Sequence, residues 1–128
     1  MPTDESFDLM AAGLRRDGAE LATSLEVLAV KLERALPGRA TVQRRGTGLL
    51  GRGPKRVRDV RVELGDCCYR LEVADGRVAG SRERQSGGIA IKREPLDPEA
   101  WVAALTDDLR EEAQRSDEAR AALERLLA

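Results

Sequence analysis

The chain has 128 residues, a formal net charge of −1 and no histidine. A chain of this length folds as one domain and buries about two thirds of its unfolded surface, so its core needs neither a disulfide nor a metal. The lack of histidine excludes Ser-His-Asp and Cys-His nucleophile pairs and most zinc sites.

The first predicted element is a long helix over residues 7–36. Its apolar stripe has spacings of three, four and seven, typical of an amphipathic helix. The stripe consists of Leu14, Leu21, Leu25, Leu28, Leu32 and Leu36. Gly13 and Gly18 weaken the first half, so we expect a firm helix from about Ala19, with allowance for a break before it. Pro37-Gly38 ends the helix, because proline rarely continues one and glycine adopts the left-handed terminal conformation.

An antiparallel sheet over residues 39–93, with four or five strands, is predicted next. A two-residue turn at Gly65-Asp66 pairs the residues on its two sides. The pairs are Leu64 with Cys67, Val62 with Tyr69 and Val60 with Leu71. This register collects apolar side chains on one face and charged side chains on the other. A second turn at Asp75-Gly76 pairs Val73 with Val78 and continues the apolar face, which the helices must cover.

Two shorter strands complete the predicted sheet. One is Ala40–Arg45, with Val42 pointing inward, and the other contains Ile89 and Ile91. The strand pattern frays after Val78, where Gly80 lies opposite Leu71.

The last predicted element is a helix over residues 98–127. Asp97 is a typical N-cap, and Pro98 suits the first helical position. Ser116 is a small polar gap in an apolar stripe of Trp101, Val102, Leu105, Leu109, Ala113, Ala119, Leu123 and Leu127. The predicted fold class is therefore α+β: a long N-terminal helix, an antiparallel meander of four to five strands and a long C-terminal helix, with both helices on one face of the sheet.

The predicted helices are longer than the sheet. A helix of about thirty residues measures about 45 Å, whereas a strand of about seven residues measures about 23 Å. We therefore expect the excess to pack against a second copy or a protein partner. The candidate interface residues are Leu25, Leu28, Leu32, Leu109, Leu123 and Leu127. The alternative is a monomer in which the two helices cover each other as an antiparallel pair.

Basic residues concentrate in the middle of the chain. Residues 39–94 carry 14 basic and 7 acidic side chains, whereas both flanking segments are acidic. The Gly-rich loop between the first two strands provides a candidate binding site for a partner or an anion, made of Arg44, Arg45, Arg52, Lys55 and Arg56. Arginine and backbone amides bind phosphates and carboxylates well. A solvated loop without function is the plainer alternative.

Other patterns that suggest chemistry are weak. Gly46–Gly51 has the spacing G-x-G-x-x-G, but a strand rather than a helix follows it. Cys67 and Cys68 lack metal-ligand spacing, and as neighbours on one strand they form no ordinary disulfide with each other. An acidic group on the last helix, Asp107, Asp108, Glu111 and Glu112, is more typical of a solvated face than of a cation site. No catalytic residue, metal, cofactor or small-molecule substrate is expected.

These features together predict a cytoplasmic, non-enzymatic protein–protein interaction module, such as an adaptor, a chaperone-like subunit or a scaffold component. The acidic start, MPTDESFDLM, is not typical of a signal or transit peptide. No run of about eighteen apolar residues is present, so no membrane span is expected. The alternative function is nucleic-acid or anion binding through the basic loop, residues 44–58.

Overall fold

The computed structural model describes residues 9–14, 18–46 and 50–128. Within the predicted N-terminal helix, residues 9–13 are helical and helix α1 spans Gly18–Ala35. The predicted start at residue 7 and the segment 15–17, where a break was allowed for, lie outside the described residues. The chain leaves α1 as predicted, because Gly38 adopts a φ of 83°, the left-handed conformation that ends many helices.

Five antiparallel strands follow α1 in a simple meander. They are β1 (Ala40–Gly46), β2 (Lys55–Leu64), β3 (Cys67–Ala74), β4 (Arg77–Ser86) and β5 (Ile89–Leu96). The predicted register is confirmed, since Leu64 pairs with Cys67, Val62 with Tyr69, Val60 with Leu71 and Val73 with Val78. The two-residue turns fix this register, and with it the face on which every side chain lies.

The predicted helix over 98–127 consists of two helices, α2 (Pro98–Ala113) and α3 (Asp117–Leu127). Asp97 caps α2 as predicted, and its carboxylate accepts a hydrogen bond from the Ala100 N–H at 2.9 Å. Ser116 is not a gap in one stripe but the N-cap of α3, where its hydroxyl accepts a hydrogen bond from the Ala119 N–H at 3.2 Å. Serine followed by acidic residues is an ordinary start signal for a helix.

The helices cover the apolar face of the sheet, which confirms the α+β fold class. Helix α1 packs on β1 and β2, α2 packs on β3, β4 and β5, and α3 packs on both α1 and α2. Because the helix is interrupted before α3, the residues that face the core in α3 do not follow the spacing of α2. Leu126 is therefore fully buried, whereas Leu123 and Leu127 are only half-buried.

Tyr69 links the sheet to α2. Its side chain is fully buried on β3, and its hydroxyl donates a hydrogen bond to the Asp108 carboxylate and lies 3.3 Å from the Ala104 carbonyl. Arg82 of β4 approaches the same carboxylate to 3.9 Å and binds Glu94 at 2.7 Å. Burial, together with the Asp108 acceptor, raises the pKa of Tyr69 well above its ordinary value. The phenol therefore remains a neutral donor between two layers of the fold.

Gly80 makes room for the second core aromatic. The Trp101 ring is fully buried and meets the Tyr69 ring edge to face, with 6.0 Å between the centroids. A Cβ atom on Gly80 would lie 2.7 Å from the Leu96 carbonyl oxygen and 3.0 Å from Trp101 Cδ1. The glycine that frays the predicted strand pattern is thus required by close packing, because a larger residue would displace the indole or β5.

We expect Tyr69→Phe to destabilise the protein, because the variant loses the hydroxyl that binds Asp108. Hydrogen bonds to charged groups contribute about 1.5–3 kcal/mol, so the free energy of unfolding in urea at neutral pH should fall by about that amount. Thr106→Val is the matched control. It removes a buried hydroxyl that donates to the Val102 carbonyl at 2.7 Å within α2 alone. Equal losses in the two variants would contradict the linking role of Tyr69.

Candidate functional site

Most of the leucines predicted to form an interface lie in the core of the chain itself. Leu25, Leu28, Leu32 and Leu109 are at most 3% exposed, and Leu123 and Leu127 pack against the same core. The stripes are covered because α1 packs against α3 as well as against the sheet. The four buried leucines offer no surface to a second chain in this conformation. Association through other surfaces stays a prediction.

Arg44, the first of the predicted loop residues, is held within the chain. It lies on β1, and its guanidinium group is 3.2 Å from the Glu26 carboxylate and 2.9 Å from the Glu33 carboxylate of α1. The hydrogen bonds that Arg44 donates to Glu33 and Glu26 raise the pKa of its guanidinium group further above its ordinary value. Arg44 therefore fastens β1 to α1 and is not free to bind a partner.

Three other predicted residues, Arg45, Lys55 and Arg56, line a groove of about 990 Å³ between α1 and the end of the sheet. We call it the basic groove. Four basic residues border it on the side of the sheet and are called the sheet wall: Arg45, Lys55, Arg56 and Arg58. The side chains of Arg45 and Arg56 point to the sheet face opposite α1, because their neighbours Arg44 and Val57 face α1. The α1 wall of the groove includes Ala22, Thr23 and Val27, and its floor contains Leu21, Leu25, Val57 and Val73. Arg52 is exposed but is not a lining residue, and loop residues 47–49 lie outside the described residues.

Among the described residues, the cations of the sheet wall have no carboxylate partner. Arg45 and Arg56 are both exposed and face each other directly across the β1–β2 pair. Within residues 9–14, 18–46 and 50–128, no ion pair involves a sheet-wall residue or Arg52. Like charges directly opposed on neighbouring strands destabilise a sheet. The sheet wall therefore carries positive charge that an anionic ligand would neutralise.

A second pair of opposed arginines shows how the chain neutralises such charges elsewhere. Arg61 and Arg70 face each other across β2 and β3. Arg70, however, binds Asp59 at 3.1 Å and Glu72 at 3.0 Å, and hydrogen bonding to Asp59 raises its pKa. The groove differs because the described residues provide no such carboxylates beside Arg45 and Arg56.

Arg58 and Val27 line the groove but were not among the predicted binding residues, although Arg58 lies within the predicted basic loop 44–58. Gln43 pairs with Asp59 and Arg44 pairs with Val57, so Arg58 is the extra residue of a β-bulge in β2. The sequence signal was available, since the buried valines 57 and 60 are three residues apart rather than two. Val27 is 40% exposed. In the sequence it could be recognised as an apolar residue that does not belong to the leucine stripe of α1.

The surroundings of the two cysteines disfavour the thiolate form of each side chain. Both are free and half-buried. Burial is the main cause that raises the pKa of Cys67, and the same cause raises the pKa of Cys68. Because the thiolate is the nucleophile, a raised pKa leaves both groups protonated near neutral pH.

The acidic residues of α2 are engaged in contacts within the chain. Asp108 binds Tyr69, Glu112 lies 3.4 Å from Arg39, and Glu111 forms an ion pair with Arg115 at 3.9 Å. In the part of the chain that the structure describes, no group of three acidic or cysteine side chains is placed to hold a metal ion. The G-x-G-x-x-G spacing leads into β2 rather than into a helix, so it lacks the helix N-terminus that binds phosphate in dinucleotide sites.

Comparison of the chain with known protein families, with curated proteins and with solved structures found no match. Among the described residues, no helix is both long enough and apolar enough to cross a membrane. A functional proposal therefore depends on the geometry and charge of the basic groove.

We expect the two thiols to react slowly with a disulfide reagent such as DTNB in the folded protein near pH 8. The raised pKa values of Cys67 and Cys68 reduce the thiolate fraction, so the rate should increase as the pH rises. The same chain unfolded in urea is the control and should react faster. A folded chain that reacts as fast as the unfolded chain would contradict the environment described for these residues.

Proposed function

We propose that the chain is a non-enzymatic interaction module, of the adaptor or chaperone-like kind, that binds an acidic segment of a partner protein in the basic groove. The observation that supports this most directly is a set of cations that have no carboxylate partner among the described residues and that border a groove with an apolar floor. Arg45 and Arg56 repel each other in the free protein. Carboxylates of a partner would relieve that repulsion and form charge-assisted hydrogen bonds with both guanidinium groups.

The sheet wall suits a segment with several negative charges. Lys55 and Arg58 are three residues apart on β2, which separates them by about 10 Å at about 3.3 Å per residue. Arg45 adds a third position on the neighbouring strand. A single carboxylate reaches only one of these cations, whereas a segment with two or three acidic side chains reaches most of them.

The apolar part of the groove favours a protein segment over a nucleic acid. Val27 is exposed on the α1 wall, and the floor is made of leucine and valine. Proteins that bind single-stranded nucleic acid usually stack bases on exposed aromatic rings. Tyr69 and Trp101 are fully buried in the core. Apolar side chains together with carboxylates therefore match this groove better than a phosphate backbone does.

The titratable groups of the groove support binding rather than turnover. Among the described lining residues they are arginine, lysine and Glu26, and Glu26 is engaged by Arg44. Catalysis of proton transfer or acyl transfer requires a positioned base or nucleophile. The lining residues instead provide fixed positive charge and apolar surface.

Nucleic-acid or general anion binding is the second candidate function, and the same unpaired cations favour it. Its signature is an affinity for duplex DNA that falls steeply as salt concentration rises, because each neutralised phosphate releases counterions. The apolar wall and floor would contribute nothing to such binding, so substitutions of Val27 would leave it unchanged.

The proposal is tested with two fluorescent pools of short peptides in random order. One pool contains Glu, Asp, Leu, Val and Ser, and the other contains Lys and Arg in place of the acidic residues. We expect the natural chain to bind the acidic pool only. We expect Arg45→Glu/Arg56→Glu to weaken binding about tenfold, since exposed charge pairs contribute up to about 1 kcal/mol each and about 1.4 kcal/mol is tenfold.

The matched control is Lys92→Glu/Arg93→Glu, which makes the same change in net charge on β5, outside the groove. It should retain affinity for the acidic pool within about twofold of the natural chain, because exposed charges beyond a Debye length are largely screened. Equal weakening in both double variants, or no binding of the acidic pool, would overturn the proposal. Tighter binding of duplex DNA than of the acidic pool would favour the second candidate.

A further inference from the structure

We infer that the acidic partner segment binds as an antiparallel sixth strand along the free edge of β1. Its carboxylates lie on the sheet face opposite α1, next to Arg45, and its apolar side chains lie on the α1 face, next to Val42. This inference rests on the proposed function and deepens it, because it specifies the conformation of the partner segment and the backbone groups that hold it.

The two edges of the sheet, β1 and β5, differ in how open they are to another strand. Strand β5 contains Pro95, and proline has no N–H to donate, which is a common means of keeping an edge strand from pairing with another chain. Strand β1 contains no proline, and the charge of its Arg44 is already bound by carboxylates of α1. The edge of β1 is therefore the more open of the two.

The register of β1 shows which of its backbone groups point outward. The Glu63 N–H donates to the Arg39 carbonyl at 3.0 Å, so this pair is hydrogen-bonded. Hydrogen-bonded and non-hydrogen-bonded pairs alternate along an antiparallel ladder, so the N–H and C=O groups of Val42 and Arg44 point away from β2. In the part of the chain that the structure describes, no hydrogen bond uses these groups. They are therefore available to an added strand.

Helix α1 closes one end of this edge. The Ala40 N–H also points outward, and it donates to the Leu36 carbonyl just after α1 at 2.9 Å. The free edge therefore begins at Val42 and runs to the basic groove, where Arg45 and Gly46 are lining residues. A partner segment that occupies the groove can continue along β1 without a turn.

The two faces of an added strand meet different surfaces. Residues opposite Val42 and Arg44 lie on the α1 face, since Val42 packs against the core and Arg44 binds α1. A residue opposite Arg45 lies on the other face, where Arg45 and Arg56 are exposed and oppose each other. Because side chains alternate along a strand, a sequence that alternates acidic and apolar residues places a carboxylate beside Arg45 and an apolar side chain beside Val42.

A third arginine extends the positive charge along the same face. Arg61 is exposed, and among the described residues neither it nor Arg45 forms an ion pair. Its neighbour on β1 is Thr41, whose short side chain leaves the guanidinium group accessible from the edge. An added strand lies about 10 Å from β2, twice the strand spacing, and two long side chains span that distance. The partner therefore has acidic residues opposite Arg45 and opposite Thr41.

A second copy of the chain fits this edge less well than an acidic segment does. A second β1 would bring its own Arg44 and Arg45 to the edge, and like charges on neighbouring strands destabilise a sheet. Opposite charges across strands stabilise it. An acidic strand therefore neutralises the charge of this face, whereas a second copy would add to it.

The experiment uses the full chain and labelled peptides of about eight residues in which valine and glutamate alternate, within the usual length of a strand. One peptide is unmodified, the second carries N-methyl groups on its two central valines, and the third carries them on its two central glutamates. In the antiparallel arrangement the valine N–H groups bond Val42 and Arg44, whereas the glutamate N–H groups face solvent. We expect methylation of the valines to weaken binding at least about tenfold, because two hydrogen bonds are lost, and methylation of the glutamates to leave it unchanged.

Substitutions in the chain locate the added strand. Val42→Pro removes an outward N–H without removing a bond to β2. It should weaken binding of the unmodified peptide about tenfold, since a hydrogen bond is lost and the proline ring obstructs the strand. Its matched control is Val42→Ala, which also shortens the side chain but keeps the N–H and should retain most of the affinity. Arg45→Glu should be rescued by a peptide with lysine in place of glutamate. Circular dichroism of each variant checks that the fold is retained.

The outcomes separate this inference from the proposed function. If methylation of valines and of glutamates has the same effect, and Arg45→Glu/Arg56→Glu still weakens binding, the added strand is wrong and the basic groove remains the binding surface. A loss on methylation of the glutamates alone would overturn the antiparallel arrangement. If no acidic peptide binds in a way that depends on the groove residues, both proposals are wrong.

The oligomeric state of the free chain tests the alternative occupant. A dimer in size-exclusion chromatography that becomes a monomer in Val42→Pro, but not in Val42→Ala, would show that a second copy holds the edge and would overturn the inference. The comparison among peptides uses the natural chain, so it decides the question even if Val42→Pro does not fold.

Discussion

The sheet has one apolar face, and the structure depends on the helices that cover this face. Helix α1 covers β1 and β2, α2 covers the other three strands, and α3 packs on both helices. Tyr69 fixes the position of α2 through Asp108, and Arg44 fixes α1 through Glu26 and Glu33. Because the leucine stripes are largely covered within the chain, the surface proposed for a partner is at the basic end of the sheet, beside the first turns of α1.

The strand register was predictable because it is a local property. Two-residue turns and a side-chain period of two determine every pair from Val60–Leu71 to Val73–Val78. The prediction of leucine interfaces depended on helices of about thirty residues. Helices α1, α2 and α3 have 18, 16 and 11 residues, and most of the predicted interface leucines are buried within the chain. Association of the chain with a second copy or a partner stays a prediction. The sequence pattern does not reveal the break between α2 and α3, because Ala119 and Leu123 continue the apolar spacing of a single helix. Ser116 is the one local indication of a new helix, since serine is a common N-cap residue.

The candidate site was predictable only in part. Arg45, Lys55 and Arg56 were found from the charge of the loop, and they line the groove. Arg44 was assigned to the same group, but its partners are 11 and 18 residues away along the chain, a distance over which local patterns give no information. Acidic side chains of the helices form ion pairs with Arg44 and Arg82 of the sheet and with Arg39 in the turn before β1. Among the described residues, no carboxylate forms an ion pair with the sheet wall of the groove, and the proposed function depends on this difference.

The most direct test of the unpaired charge is the stability of Arg45→Glu, which places a carboxylate opposite Arg56. Opposite charges across strands contribute about 0.2–1 kcal/mol, so the free energy of unfolding in urea should rise by about that amount at low salt and less at high salt. Arg93→Glu is the control. Arg93 lies opposite Glu83, so this substitution places two like charges across the strands and should lower the free energy of unfolding. If Arg45→Glu is no more stable than the natural chain, the sheet wall has no uncompensated charge, and the proposed binding surface loses its physical basis.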